Sequence, residues 1–259
     1  MTPPPTPGDD ERPSRRTEMR VGGVTCRCDP GLDEVLRAIY AGGEWVFDHL
    51  RRQPGAQVLR GRRELVAGEL GGEKALIKRL HHGGTLAALT GDRFLSSRRL
   101  ENQLKCADFL AAKGIVTPAT LLVAWRRRCG LVRGEIGVRF IPDALDGGQL
   151  LFRPGLRLPD DWERRVAELA ALVARLHRLG VRHGDLNLRN FLFLPAGGVA
   201  ILDLDKAVRA RRLGPWQRRR NLARLVRSIR KLARLATSGD AERVVAALHR
   251  AYRGSDATD

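Results

Sequence analysis

The chain has 259 residues and 43% of them are hydrophobic, which is enough to bury the core of one large domain or of two lobes. A formal net charge of +18, from 47 Lys and Arg against 29 Asp and Glu, favours nucleic acid, an acidic membrane surface or a phosphate-bearing substrate as partner. No segment approaches the ~20 apolar residues of a transmembrane helix and the polar N-terminus has no signal-peptide pattern, so we expect a soluble or peripheral protein.

The N-terminal segment is rich in proline and charge, and it predicts a disordered tail over residues 1–20. Cys26 and Cys28 follow with a one-residue gap and no later Cys/His pair, which argues against a zinc site. We expect these two residues, like Cys106 and Cys129, to be reduced thiols of a cytosolic protein.

A strand-rich lobe is predicted over residues 21–141. Short apolar runs between Val58 and Leu80 predict two strands that meet in a hairpin at Gly71-Gly72, the second strand being "ALIK". A helix follows, and "TLLVAW" and "EIGVRFI" predict two more strands. The helix carries its apolar residues on one face: Leu100, Leu104, Ala107, Leu110 and Ala111.

A mostly helical lobe is predicted over residues 142–259. It begins with a helix from Asp160 to Leu179 that ends at Gly180, and "FLFL" with "VAILDLD" then predicts a strand pair. A basic helix from Trp216 to Ala236 has an apolar stripe that we expect to be core. The fold class is therefore α+β, with a small antiparallel sheet and one main helix in the first lobe.

Several polar residues occur in an order that suits phosphoryl transfer from ATP. Lys78 ends a predicted strand, His183, Asp185 and Asn190 lie in one loop, and Asp203 ends a strand thirteen residues after Asn190. Such a reaction needs a cation for the triphosphate, a carboxylate that aims the attacking hydroxyl, and oxygen ligands for magnesium. The alternative is that Asp185 caps a turn and Asn190 satisfies loop carbonyls.

These motifs resemble those of the protein-kinase-like superfamily. "ALIK" is similar to its strand lysine motif, "HGDLNLRN" to its catalytic loop, and "LDLD" stands where Asp-Phe-Gly usually stands. The resemblance implies that Lys78 binds ATP, that Asp185 is the base, and that Asn190 and Asp203 hold Mg²⁺. The thirteen-residue gap favours Asp203 over Asp205. His183 is implied to be structural, and we expect His177 to be an ordinary helix-end residue.

Gly184 and Asn187 replace residues common in protein kinases, and no Ala-Pro-Glu segment follows Asp203, which favours a small-molecule or glycolipid acceptor. "LIKRLHHGGTLAALTGDRFL", "LAAKGIVTP" and "GPWQRRRNLARLVRSIRKL" resemble stretches of the lipopolysaccharide-core kinase family, over roughly Val58 to Leu235. The resemblance implies ATP- and Mg²⁺-dependent phosphorylation of the 4-hydroxyl of the 3-deoxy-D-manno-octulosonic acid (Kdo) sugar of Kdo-lipid A. It also implies a peripheral location at the cytoplasmic face of the bacterial inner membrane.

Three features depart from the family. Gly61 and Arg62, the expected phosphate-covering positions, belong to Gly61-Arg62-Arg63 instead of a glycine-rich loop, which leaves a weakened or inactive enzyme as one alternative. The helix partner of Lys78 is Glu101 or Gln103. Leu204-Asp205 replaces the usual aromatic residue and glycine after Asp203.

The remaining alternatives concern acceptor and class. A heptose kinase or another small-molecule kinase of the same fold is the alternative enzyme. A non-catalytic nucleic-acid-binding protein is disfavoured, because aromatic residues make up only 5% of the chain and no basic-aromatic interleaving occurs. Instead, we expect electrostatic, salt-sensitive attraction to an acidic membrane through the polar face of the basic helix: Arg218, Arg219, Arg220, Arg224, Arg227, Arg230, Lys231 and Arg234.

Overall fold

The computed structural model describes residues 16–60, 64–80 and 94–256. The chain divides into two compact units. The first comprises the residues up to Ser97 together with Asp108–Gly114 and Thr120–Arg139, and the second comprises Arg98–Ala107, Ile115–Ala119 and the chain from Phe140 onward. In the described part of the chain, no helix combines the length and the apolar character that crossing a membrane requires.

The first unit is built on a seven-stranded sheet in which every neighbouring pair is antiparallel. Its strand order is β1-β2-β6-β7-β5-β4-β3. The predicted hairpin at Gly71-Gly72 is confirmed as the turn between β4 and β5. The strands are β1 (Thr17–Val21), β2 (Val24–Cys28), β3 (Gln57–Arg60), β4 (Glu64–Leu70), β5 (Glu73–Arg79), β6 (Thr120–Arg128) and β7 (Leu131–Arg139).

The predicted disordered tail is wrong at its C-terminal end, because Thr17 to Arg20 lie in β1 and pair with β2. Met19 is buried in the core, and Arg16 donates to the Asp29 carboxylate at 3.0 Å and to the Thr120 carbonyl at 2.6 Å. This burial and hydrogen bonding offset the entropy lost by ordering the segment. Residues 1–15 lie outside the described part of the chain.

Two helices not predicted from the sequence cover part of this sheet, α1 (Asp33–Ala41) and α2 (Val46–Arg51). Strand alternation turns Val24, Cys26 and Cys28 of β2 into the core, where they join buried side chains of both helices. Three of the four cysteines are buried, Cys129 is exposed, and all four are unbridged.

The second unit contains most of the helices and two small antiparallel sheets. The predicted strand pair is confirmed as β10–β11, with Phe191 opposite Ile201. One sheet has the order β11-β10-β8 and the other pairs β12 with β9. The helices are α3 (Arg98–Ala111, of which the last four residues belong to the first unit), α4 (Gly147–Leu151), α5 (Trp162–Arg178), α6 (Pro215–Leu235) and α7 (Ala241–Asp256); the strands are β8 (Leu145–Asp146), β9 (Val181–Arg182), β10 (Phe191–Phe193), β11 (Val199–Ile201) and β12 (Val208–Arg209).

Helical periodicity predicted the buried faces of the long helices with one exception, on α3, where Leu100, Leu104, Ala107 and Leu110 are buried but Ala111 is exposed. On α5, the apolar residues at helical spacing are all buried: Trp162, Val166, Leu169, Val173 and Leu176. Gly180 follows in a left-handed conformation with φ of 72°. On α6, Leu225, Val226 and Ile229 are buried. The apolar stripe of α6 is therefore core, as expected.

Candidate active site

Lys78 lies on β5, opposite Leu65 of β4 and Ile136 of β7. Because successive residues of a strand face opposite sides, Ala75 and Ile77 enter the core of the first unit and Lys78 points to the other face, where it is half-buried. The strand predicted for Lys78 is thus present. Gly61 and Arg62, the other residues predicted to contact ATP, lie outside the described residues.

Glu135 is a buried carboxylate that the sequence did not single out. It precedes Ile136 on β7, so it lies on the sheet face opposite to Lys78. Its oxygens accept from the Tyr40 hydroxyl at 3.0 Å and from the backbone N–H groups of Val46 and Phe47 at 2.9 and 3.0 Å. Burial raises the pKa of Glu135, although these three donors favour the charged form. The residue therefore anchors the start of α2 to the sheet.

His183 is held between two backbone groups of the second unit. Its Nδ1 accepts from the Asp185 N–H at 3.2 Å, so Nε2 carries the ring proton and donates to the Leu202 carbonyl at 2.8 Å. Burial lowers its pKa, which keeps the ring neutral. These contacts agree with the structural role predicted for His183.

Asp185 has a fixed backbone and an accessible carboxylate. Its N–H is held by His183, and its carbonyl accepts from the side-chain amides of Asn187 at 3.0 Å and Asn190 at 2.8 Å. The side chain is 40% exposed, and its Oδ1 accepts from Arg224 of α6 at 3.3 Å. A carboxylate that is aimed by its backbone and open to solvent is suited to accept a proton from a bound hydroxyl.

Asn190 and Asp203 are brought to the same end of the β10–β11 hairpin. The register places Phe191 opposite Ile201, and the Leu202 N–H donates to the Asn190 carbonyl at 2.8 Å. Asp203 comes next, in a left-handed conformation with φ of 62° that is unusual for a non-glycine residue. Because the Asn190 amide nitrogen donates to Asp185, its Oδ1 is the atom left for a cation. An amide oxygen and a carboxylate fit the hard-oxygen preference of Mg²⁺.

Close approach explains Gly184, and hydrogen bonding explains Asn187. A Cβ on Gly184 would lie 2.1 Å from the carbonyl oxygen of Lys206. The Asn187 side chain donates to the Asp185 carbonyl and accepts from the Arg189 N–H at 3.0 Å, which caps the 3-10 turn Leu188–Asn190. Both residues therefore shape the loop.

Helix α3 holds the segment that follows Asp203. The Asn102 side chain donates to the carbonyls of Leu204, Asp205 and Ala207, and the Gln103 side chain accepts from the Leu204 N–H at 3.0 Å. The buried carboxylate of Asp205 forms an ion pair with Arg99, also on α3. Asp205 thus has a structural partner, and Asp203 as metal ligand stays a prediction. The choice between Glu101 and Gln103 as partner of Lys78 stays open.

A buried chain of hydrogen bonds connects this loop to α5, α6 and α7. Asn221 of α6 donates to the His183 carbonyl at 2.8 Å, and its Oδ1 accepts from His177 Nε2 at 3.0 Å. His177 Nδ1 is therefore unprotonated and accepts from the Tyr252 hydroxyl at 2.7 Å. The expectation that His177 is an ordinary helix-end residue is wrong. Its position four residues after buried Val173 was the available signal.

The model of the lipopolysaccharide kinase (Kdo/WaaP) family matches residues 48–252 of the chain. A 3-deoxy-D-manno-octulosonic acid kinase of Stenotrophomonas maltophilia (strain K279a) is 41% identical over 183 residues, which are 69% of this chain and 70% of that protein. A 3-deoxy-D-manno-octulosonic acid kinase of Xylella fastidiosa (strain M12) is 28% identical over 162 residues, which are 61% of this chain and 62% of that protein. A third relative, the 3-deoxy-D-manno-octulosonic acid kinase of Xanthomonas campestris pv. campestris (strain B100), is 42% identical over 91 residues.

The match to the Xanthomonas campestris kinase covers 35% of this chain and 34% of that protein, so the chain spans only about a third of that relative's length. Among solved structures, a divergent kinase lacking the glycine-rich loop, which regulates membrane ultrastructure of the Toxoplasma parasitophorous vacuole, covers 87% of this chain and 79% of its own. Its TM-score of 0.44 and identity of 18% are too low to bear on activity. The antiparallel sheet of the first unit and the mostly helical second unit agree with the predicted α+β fold class.

Proposed function

Because the chain belongs to the lipopolysaccharide kinase (Kdo/WaaP) family, we propose that it is an ATP-dependent kinase that phosphorylates the Kdo sugar of Kdo-lipid A, at its 4-hydroxyl. The observation that carries the proposal is Asp185, whose backbone is fixed by His183, Asn187 and Asn190 while its carboxylate is 40% exposed. Such a group can accept a proton from an acceptor hydroxyl without first being ordered.

In this proposal the chain's own residues supply positioning and charge. Asp185 binds the acceptor hydroxyl through its carboxylate and takes the proton as phosphate is transferred. Asn190 and Asp203 would hold Mg²⁺, which when bound neutralises charge on the phosphates. Lys78 of β5 would bind the triphosphate, and His183 keeps the loop and Leu202 in register.

The same proposal places the protein peripherally, at the cytoplasmic face of the bacterial inner membrane. With its apolar stripe buried, α6 has an exposed polar face on which Arg219, Arg227, Lys231 and Arg234 point to solvent. Lys and Arg near an acidic membrane surface contribute about 1 kcal/mol each, and salt screens this attraction. We expect binding to acidic vesicles that weakens strongly as salt is raised; pelleting with vesicles regardless of salt would contradict this mode.

A pair of matched substitutions tests the role of Asp185. Asp185→Asn keeps the shape of the side chain but removes the base, so we expect phosphate transfer from ATP to Kdo-lipid A to fall ~10²–10⁴-fold. Asp161→Asn is the control, because Asp161 is also ion-paired to arginine and is 39% exposed. We expect near wild-type transfer from this control. Transfer that persists in folded Asp185→Asn would exclude Asp185 as the base.

The acceptor and the metal are tested separately. Radiolabelled ATP is supplied with Kdo-lipid A, with lipid A lacking Kdo, or with an acceptor that carries heptose as well, and the position of the phosphate is read by NMR. Transfer only to a heptose would favour a heptose kinase. Asp203→Asn and Asn190→Ala are expected to raise the Mg²⁺ concentration needed for half-maximal rate, since the first removes the negative charge of a ligand and the second removes an oxygen ligand.

A further inference from the structure

A basic cavity opens along the first turns of α6, next to the loop that carries Asp185. Its volume is about 330 Å³. Within the described residues, the lining includes three arginines and no carboxylate, and Trp216 is 67% exposed. The lining residues are Arg182, Trp216, Gln217, Arg220, Asn221 and Arg224.

The neutral polar groups of this cavity are already engaged in the fold. The Asn221 side chain is held by His177 and His183, and Gln217 Oε1 accepts from the Gly214 N–H at 2.9 Å. The arginines are differently placed. Over residues 16–60, 64–80 and 94–256, neither Arg182 nor Arg220 forms an ion pair with a carboxylate, and the Arg220 guanidinium lies 5.1 Å from the centroid of the Trp216 ring.

Arg224 connects the cavity to the reacting position. It donates to Asp185 Oδ1 through one nitrogen at 3.3 Å, and a guanidinium has five N–H donors, so donors are left for a second anion. An acceptor whose hydroxyl reaches Asp185 would therefore place its neighbouring substituents beside Arg224. A positively charged cavity next to Asp185 favours an acceptor that carries negative charge close to the reacting hydroxyl.

We propose that this cavity binds the carboxylate of the acceptor sugar, with donors from Arg182, Arg220 and Arg224 and with the Trp216 ring as an apolar wall. The inference rests on the proposed function, because an octulosonic acid carries a carboxylate on the same sugar that accepts the phosphate. Arginine suits this ligand, since its planar guanidinium pairs with a carboxylate through two parallel hydrogen bonds.

The test combines a change in the protein with a change in the acceptor. Kinetics are measured for wild type, Arg220→Gln and Arg182→Gln, with a soluble Kdo glycoside and with its carboxyl methyl ester. For the acid acceptor we expect each substitution to lower kcat/KM ~10–100-fold, mainly through KM, because a charge-assisted hydrogen bond is lost. The ester should lower the wild-type value by a similar factor. It should cause little further loss in Arg220→Gln, because the two changes remove the same interaction.

Arg250→Gln is the matched control, since Arg250 is an exposed arginine of α7 in the same unit, away from the cavity lining. It removes one positive charge, and we expect unchanged kcat/KM for both acceptors. Equal use of acid and ester by wild type overturns the inference while the kinase function stands. Losses of the same size for acid and ester in the cavity variants overturn it as well.

A direct binding measurement separates this inference from the proposed function. The Kdo methyl glycoside and its ester are titrated into wild type and Arg220→Gln by calorimetry, without ATP. Binding of the acid alone, weakened by Arg220→Gln, supports the cavity even if wild type transfers no phosphate. Absent binding, or equal binding of acid and ester, overturns the inference.

Discussion

Asn221 joins α5, α6 and the loop that carries Asp185 through one buried amide. Replacing it by alanine removes two buried hydrogen bonds, one from the Nε2–H of His177 and one to the carbonyl of His183. Tyr252→Phe is milder, because it removes the donor to His177 Nδ1 and leaves both hydrogen bonds of Asn221 in place. The two variants therefore form a graded series along one chain of hydrogen bonds.

The expected magnitudes follow from the number of buried hydrogen bonds that each variant removes. An unsatisfied buried polar group costs ~1–3 kcal/mol, so we expect the free energy of unfolding to fall by about 2–5 kcal/mol in Asn221→Ala and about 1–2 kcal/mol in Tyr252→Phe. A domain is typically stable by ~5–15 kcal/mol, so both variants are expected to fold. The carbonyl of His183 lies two residues from Asp185, so misplacing the loop is expected to lower kcat ~10–100-fold in Asn221→Ala.

Urea unfolding followed by circular dichroism measures the first quantity, and phosphate transfer at saturating ATP and acceptor measures the second. Lys231→Ala, on the exposed face of the same helix, is the control and should change stability by under ~0.5 kcal/mol. We expect the KM for ATP to be unchanged. Asn221→Ala with wild-type stability and kcat would refute the reasoning that these hydrogen bonds position the loop that carries Asp185.

Three further predictions concern other parts of the fold. Gly184→Ala should lower activity at least ~10-fold and destabilise the second unit, because its Cβ would meet the Lys206 carbonyl at 2.1 Å; Gly239→Ala, where nothing lies within 4 Å, should show neither effect in the same assays. Glu135→Ala should lower the free energy of unfolding of the first unit by about 2–5 kcal/mol in urea titrations, because it leaves three buried donors unpaired, and Glu135→Gln should cost less. The unfolded chain protonates His183 near pH 6.5, whereas burial lowers the pKa of His183 in the folded protein. Its contribution to stability is therefore present above pH 6.5 and is lost as pH falls below it, so the difference in unfolding free energy between wild type and His183→Asn should shrink on acidification; a difference independent of pH would contradict this.

Spacing along the chain was sufficient for much of the candidate site. Asp185 and Asn190 occur in one loop between a helix and a strand, and Asp203 follows a second strand, so local hydrogen bonding alone brings Asn190 and Asp203 to one hairpin end. Lys78 was placed on its strand in the same way, by apolar alternation and a glycine turn. The positions of these residues depend on interactions with neighbours about a dozen residues away or less, so a local sequence pattern can predict them.

Tertiary structure alone decided which distant groups meet. Arg224 and Arg227 look equivalent as members of one basic helix face, yet only Arg224 contacts Asp185. Likewise, His177, Asn221 and Tyr252 are ordinary polar residues of three helices until packing buries them together. The sequence by itself determined the fold class, the strands and helices that carry the site, and the candidate base and metal ligands. Packing of α5, α6 and α7 decided the support of that base and the basic cavity beside it, because such contacts join residues dozens of positions apart, where no local periodicity applies.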